Sequence, residues 1–233
     1  MNLIIKTIIF CFYSFVVLAR GEGETEITTE EGIEVFQNEK YYLLKKNVNI
    51  QSDNFTLYAD NVKINFEKNL YDITELNANG NVDFHSQEYE IKGLGDFLKF
   101  EVRIEKLTLE GNDSELVNQE IEMYSDGSIE LNNLSGNFFI KGLNSKLVSE
   151  NILIEANSIK GVFSDVSNSK EISSLNVVDE KISYIKNNEI KMYAKKINYN
   201  YETSIIELID DVTIIRNEEK ITGDYGTLDT TNN

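Results

Sequence analysis

The sequence has no proline and no tryptophan, and holds one cysteine and one histidine among its 233 residues. The single Cys11 lies inside an N-terminal apolar run that reads as a removable leader. The remaining chain can therefore form no internal disulfide, no thiolate nucleophile and no cysteine-based zinc site. The single histidine, His85, follows Phe84 on an alternating segment, which places it on an outward face and away from catalysis. Positive charge is also scarce: 22 Lys and Arg stand against 40 Asp and Glu, for a net charge of −18. So acidic a chain lacks the cations that displace counterions from phosphates, so nucleic acid is not expected as a partner, and an anionic membrane surface repels it. No glycine-rich phosphate loop leads from a strand into a helix, and no nucleophile elbow occurs. Carboxylate pairs are unavoidable at this acid content and point to no chemistry, and "GNDS" lacks the spacing of a calcium loop. The expectation is a protein that is not an enzyme and uses no cofactor or metal.

What is present is 41% hydrophobic residues, rich in β-branched and aromatic types and broken up by Asn, Gly, Asp and Ser, a mixture that favours strands and turns. The apolar run Thr7 to Leu18, preceded by Lys6 and closed by Ala19, Arg20 and Gly21, has the layout of a secretory signal peptide over residues 1–21, cleaved near Gly21. It is shorter than the ~20 apolar residues that span a bilayer comfortably, although retention of residues 4–19 as an anchor is the alternative. Cleavage removes two cations and no acid. Residues 22–31, with Glu22, Glu24 and Glu26, read as an acidic flexible leader, and residues 32–233 as one β domain.

Within that domain one phrase recurs. "VTIIRNEEKITG", from Val212, lies without a gap over "VDFHSQEYEIKG", from Val82: apolar residues at the first, third and tenth positions and a small one at the twelfth. Val48, Ile50, Leu57 and Ala59 repeat the spacing, as do Phe138, Ile140, Leu147 and Ser149. Ile182, Tyr184, Met192 and Ala194 form a copy with one extra residue, and a sixth near Gly111 places Asp113 where an apolar residue belongs. Apolar residues two apart around a polar middle read as a β-hairpin with one apolar face, so the expected architecture is an all-β antiparallel sandwich or jelly roll. "SDVSNSKE", Ser164 to Glu171, is the expected internal loop. The starts of the copies follow no fixed period, which excludes a strict solenoid.

The phrases "GNVDFHSQEYEIKG", "LYADNVKINFE", "KMYAKKINYNYE" and "DDVTIIRNEEKITGDYGTLDTTNN" resemble the OstA-like, LptA family of lipopolysaccharide transport proteins. Gly80, Asn81 and Val82 carry the opening of its cadence, Ala59–Asp60 and Gly223–Asp224 the middle, and Leu228–Asp229 the end; residues 107 to 180 depart from it. The resemblance implies a twisted, open β-jelly roll built from repeated hairpins, acting in the periplasm as a bridge that binds lipid A acyl chains in an apolar groove. Val48, Ile50, Leu57, Val62, Ile64, Val82, Phe84, Ile91 and Met123 are the groove candidates; an ordinary closed core is the competing account of the same residues. One chain of a dozen carbons supplies about 10 kcal/mol of gross driving force at ~0.8 kcal/mol per methylene. The end strands, with Val35, Tyr41, Val212, Ile214 and Ile221, are the candidate contacts for strand addition. They would join the chain to further copies of itself and to inner-membrane LptC-like and outer-membrane LptD-like jelly-roll domains. The alternatives are a membrane-anchored LptC-like component and a secreted structural or adhesive β-protein without a ligand.

Overall fold

The computed structural model describes residues 24–149, 152–166 and 169–231. The signal-peptide segment lies outside the described residues. Among the described residues eighteen strands, every neighbouring pair antiparallel, hydrogen-bond into a single sheet. Four long strands open it: β3 (Tyr41–Gln51), β4 (Phe55–Phe66), β5 (Ile73–Ser86) and β6 (Ile91–Glu101). Each changes register partway along, between Lys45 and Val48 in β3 and between Asn79 and Val82 in β5. The middle of the chain breaks at the same place into short collinear pairs: β7 (Lys106–Glu110) with β8 (Ser114–Val117), β9 (Ile121–Ser125) with β10 (Ser128–Asn132), β11 (Asn137–Lys141) with β12 (Lys146–Ser149), and β13 (Ile152–Glu155) with β14 (Ser158–Val166). Long strands then resume as β15 (Ser169–Asn187), β16 (Ile190–Asn200), β17 (Ile205–Arg216) and β18 (Glu219–Asp229). The first rung is also split, into β1 (Glu26–Thr28) and β2 (Ile33–Phe36), both paired with β3.

The pairings resolve this into thirteen bent rungs, each contributing one half to either of two facing walls. Wall one runs from β2 through the first half of β3 and the second half of β4 to β7, β10, β11, β14 and the second half of β18. Wall two runs from β1 through β8, β9, β12 and β13 to the first half of β18. At ~4.8 Å between neighbouring strands the stack is roughly 60 Å deep. The walls meet along a spine of corners and present their apolar faces to each other, with Leu44, Leu57, Leu98, Leu109, Ile140, Leu147, Ile159, Met192 and Ile197 fully buried between them.

Corner chemistry explains the small and acidic residues of the repeated phrase. Alternate rungs turn through left-handed residues: Lys46 and Asn47, Gly80 and Asn81, Asp210 and Asp211. Asn, Asp and Gly reach this conformation most easily. Of the rungs between them, those at Asp60, Asp96 and Asp126 turn at an aspartate that reaches the neighbouring corner, and the β15 rung turns at Asp179. The Asn81 amide donates to both carboxylate oxygens of Asp60 at 3.1 Å, the Asn144 amide to Asp126 at 2.6 Å, and the Asn157 N–H to Asp179 at 2.9 Å. A bulge frees backbone groups from the ladder, and aspartates satisfy some of them: Asp96 accepts from the Asn112 N–H at 3.3 Å, and Asp179 from the Asn157 N–H. Gly80 is required twice, since its φ is +76° and a Cβ there would stand 2.2 Å from the Asp60 carboxylate.

Several expectations change. Residues 26–28, placed in a flexible leader, form β1 against β3. The expected loop at Ser164 to Glu171 is the end of the β14–β15 hairpin, whose ladder runs to Val166 and Ser169. Phe138, Ile140, Leu147 and Ser149 are no hairpin, because a corner at Gly142 separates the first two from the last two. The copy there is Ser145, Leu147, Ile154 and Ala156, with Leu147 opposite Ile154. The copy at Ile182 has no extra residue: its inner set is Ser183, Ile185, Met192 and Ala194, while Ile182 is exposed. The sixth copy is Ser114, Leu116, Met123 and Ser125, with Asp113 at the corner at φ +55°. Six copies thus share one spacing.

The inner serines replace apolar residues where they can tie the corner. Ser125 Oγ donates to the Lys141 carbonyl (2.9 Å), accepts from the Gly127 N–H (3.1 Å) and lies 3.0 Å from Ser145 Oγ, which itself lies 2.8 Å from the Gly142 carbonyl. Ser125→Ala orphans these buried groups and is expected to lower stability by about 1–3 kcal/mol in urea unfolding, with the slope unchanged.

Candidate functional site

Opposite the spine the walls end in two rows of turns, and the space between the rows is the mouth of the stack. A cavity of about 670 Å³ opens there, within the volume range of ordinary ligand pockets. Its apolar floor comes from both walls and includes Leu76, Phe84, Ile91, Leu98, Phe100 and Leu107. Its rim carries Glu24, Asp53, Glu88 and Glu105, and among the described residues that line it there is no Lys or Arg. A narrow pocket of about 50 Å³ continues along the mouth past Leu116, Ile121, Met123 and Phe163.

One contact shapes the floor. Phe84 lies directly opposite Gly93 across the β5–β6 ladder, because pairing in this hairpin is slid by one pleat relative to the other copies and Val82 faces Gly95. The Phe84 ring covers the glycine so closely that a Cβ on Gly93 would stand 2.2 Å from ring carbon Cε1. Phe138 covers Gly161 in the same way further along the stack. The large ring thus spreads over the bare backbone of the next rung.

All nine groove candidates face the space between the walls, but they do not form one site. Val48, Ile50, Leu57, Val62, Ile64 and Val82 are packed between the walls. Phe84 and Ile91 line the large cavity, and Ile91 and Met123 the narrow one. Leu76, Leu98, Phe100 and Leu107 were missed as lining residues. They alternate with the candidates in the same way, so the signal was present; what was lacking was the position of the mouth. His85 sits on the outer face opposite Thr56 and Lys92.

The Tyr89 hydroxyl is held above its ordinary pKa, first by burial and then by the nearby Glu105 and Glu88 carboxylates. Glu105 closes a short turn in the left-handed region at φ +48° and accepts from the Asn133 amide at 2.7 Å.

The two ends of the stack form a second candidate surface. Val35, 52% exposed, and Ile221, 65% exposed, sit on the terminal rungs with their side chains on the inner face, together with Ile33 and Leu228. Tyr41, Val212 and Ile214 were also assigned to the edges. They lie one strand inward, covered by β2 and β18, and Val212 is buried.

Comparison with known proteins gives this geometry a context. No curated protein matches the sequence. A crystal structure of LptH, the LptA homologous periplasmic component of the lipopolysaccharide transport device of Pseudomonas aeruginosa, aligns at a TM-score of 0.40 and 10% identity, over 47% of this chain and 76% of that one. The family described as LptA/(LptD N-terminal domain) LPS transport protein matches twice, over residues 27–132 and 128–233. The first match covers the first seven rungs and the second begins at β10, so the seventh rung contributes to both. With the matches together running from residue 27 to residue 233, the chain belongs to the LptA/LptD N-terminal domain family, carries its unit twice in tandem, and has its role in lipopolysaccharide transport.

Proposed function

We propose that this chain is a non-enzymatic periplasmic carrier that holds the acyl chains of lipopolysaccharide between its two walls while the sugars stay outside, and that it joins neighbouring jelly-roll domains end to end. The observation that carries the first part is the 670 Å³ apolar cavity at the mouth, which collects inner-face residues of both walls into one accessible floor. Apolar burial suffices as the driving force, at ~0.8 kcal/mol for each methylene. Further copies of this chain, an inner-membrane LptC-like domain and an outer-membrane LptD-like domain are the partners that fit the open terminal rungs. The shared seventh rung supports this account, because within the chain one family unit already continues into the next by strand pairing.

A photo-reactive residue placed in turn at Phe84, Ile91 and Tyr89 tests lipid carriage. Irradiation in cells is expected to give lipopolysaccharide adducts from all three sites and none from Tyr58, which is 50% exposed on the outer face. Absence of an adduct from every mouth position overturns the carrier reading. The Tyr89 site, on a turn, guards against misfolding caused by labels in the core.

A further inference from the structure

Positive charge along the mouth is confined to its first end. Of the described turns that border it, those at residues 37–40, 67–72 and 102–105 carry Lys40, Lys68 and Arg103, and those at 52–54, 87–90, 118–120, 133–136, 188–189, 201–204 and 217–218 carry no Lys or Arg. Arg103 is committed to the Glu67 carboxylate. Lys40 and Lys68 have no ion-pair partner among the described residues. Both line a separate cavity of about 390 Å³ at the first end of wall one, together with the side-chain amides of Gln37 and Asn69 and the ring of Phe66. Glu67 also lines it, with its charge offset by Arg103. Glu39 and Asp72, the other acids of these two turns, are not among the lining residues, and Asp72 closes its own turn by accepting the Lys68 N–H at 3.3 Å. The backbone keeps the two lysines close: the Phe66 N–H donates to the Lys40 carbonyl at 3.0 Å, and Lys68 follows two residues after Phe66. This cavity adjoins the large one, because Phe66 pairs with Ile73 across the β4–β5 ladder and Ile73 lines the large cavity.

We infer that this smaller cavity is a phosphate subsite, in which Lys40 and Lys68 hold a phosphate monoester on the head of the lipid whose chains occupy the large cavity. This rests on the reading that the large cavity holds acyl chains. A phosphate monoester carries about −1.5 to −2 charges and three strong acceptor oxygens, which two ammonium groups and two amide donors match in charge and in number. A single carboxylate would leave one ammonium uncompensated. Asn69 has its amide oxygen occupied by the Tyr71 N–H at 2.9 Å, so its NH2 group is the part left to donate. Lysine suits a cargo in passage, since its ammonium attracts phosphate as a mobile point charge on a flexible stem and does not clamp it in a fixed fork. Both lysines are exposed, so salt screens the attraction. With no cation on the turns further along, the lipid lies with its phosphate toward the end formed by β2.

The test uses the full exported chain and two acylated disaccharide lipids with identical chains, one bisphosphorylated and one without phosphate. Each displaces a fluorescent fatty-acyl probe in low-salt buffer with EDTA, which removes bridging divalent cations. The bisphosphorylated lipid is expected to displace the probe at concentrations at least tenfold lower than the phosphate-free lipid. Lys40→Gln with Lys68→Gln is expected to abolish that advantage and to leave displacement by the phosphate-free lipid unchanged. The advantage should shrink in 1 M salt, where the screening length falls to about 3 Å. It should survive Lys92→Gln on the outer face, and Lys40→Arg with Lys68→Arg, which keeps both charges. Equal displacement by the two lipids on the unaltered chain overturns the inference and leaves lipid carriage intact. An advantage that persists in the double glutamine variant also overturns it, by placing the phosphate elsewhere. Inorganic phosphate that abolishes the advantage at concentrations no higher than the lipid's overturns it in favour of the free ion. Loss of self-association in the double variant with the lipid advantage kept overturns it in favour of an acidic protein partner. Failure of both lipids, and of the probe itself, removes the carrier reading along with it.

Discussion

Gly93→Ala is expected to cost about 1–3 kcal/mol in the native chain through overpacking, and close to nothing in a chain that already carries Phe84→Ala. The ring of Phe84 occupies the space a Cβ on Gly93 would need, and at 1% exposure it is packed on its other sides except where it borders the cavity. Phe84→Ala alone is expected to cost about 3–5 kcal/mol, the usual loss for a buried aromatic. The double-mutant cycle should therefore show a coupling energy within the ~0.5–3 kcal/mol found for contacting residues. The single Gly93→Ala variant should also bind acyl probes more weakly, because a ring displaced from the glycine moves toward the cavity it lines. Additive losses in urea unfolding would show that ring and glycine do not share this contact.

Lysines on the inner face of a terminal rung are expected to weaken end-to-end association at least a hundredfold and to leave the monomer's stability nearly unchanged. Ile33→Lys with Val35→Lys treats one end; the other is left unaltered, because Leu228 there packs against the core. Ile33, Val35 and Ile221 are already half or more exposed in the single chain, so the melting temperature should move little. In an assembly those residues would be covered by the next rung. Burial of each large aliphatic side chain contributes about 1.5–3 kcal/mol, so losing two of them removes two or more powers of ten in affinity. Lysine at a strand edge is also a device that discourages pairing. Sedimentation velocity across a concentration series measures the effect. Leu134→Lys, at an exposed position on the turn between β10 and β11 in the middle of the stack, should sediment as the unaltered chain does.

Much of this architecture could be read from the sequence because inner-face residues recur every second position. Val48, Ile50, Leu57 and Ala59 gave the spacing, and their pairing, Val48 with Ala59 and Ile50 with Leu57, is the one the spacing predicts. The misread copies have a common cause. The sequence does not mark where a corner falls, so Phe138 and Ile140 before one and Leu147 after it looked like two sides of a turn. The serines at 114, 125, 145 and 183 were not counted among the inner-face positions, although each is buried there. A serine can occupy an apolar position when a corner carbonyl lies within reach, and that carbonyl is invisible in the sequence. The motif Gly80–Asn81–Val82 was recognised as a family signature before its physical meaning was available: two left-handed corner residues followed by the first residue to face inward. The cavity was the least legible feature. Which inner-face residues stay accessible depends on how far the walls stand apart at the mouth, and no local pattern records that distance.

The seventh rung, shared by both family matches, also bears on how long a bridge can last. Bringing two separate domains together forfeits an estimated 4–15 kcal/mol of translational and rotational freedom at every joint. In this chain the joint between its two units is covalent and hydrogen-bonded through one strand, so its effective concentration does not fall when the protein is diluted. A span built from such chains contains half as many dissociable joints as one built from single units. Its lifetime is then set by the terminal rungs alone.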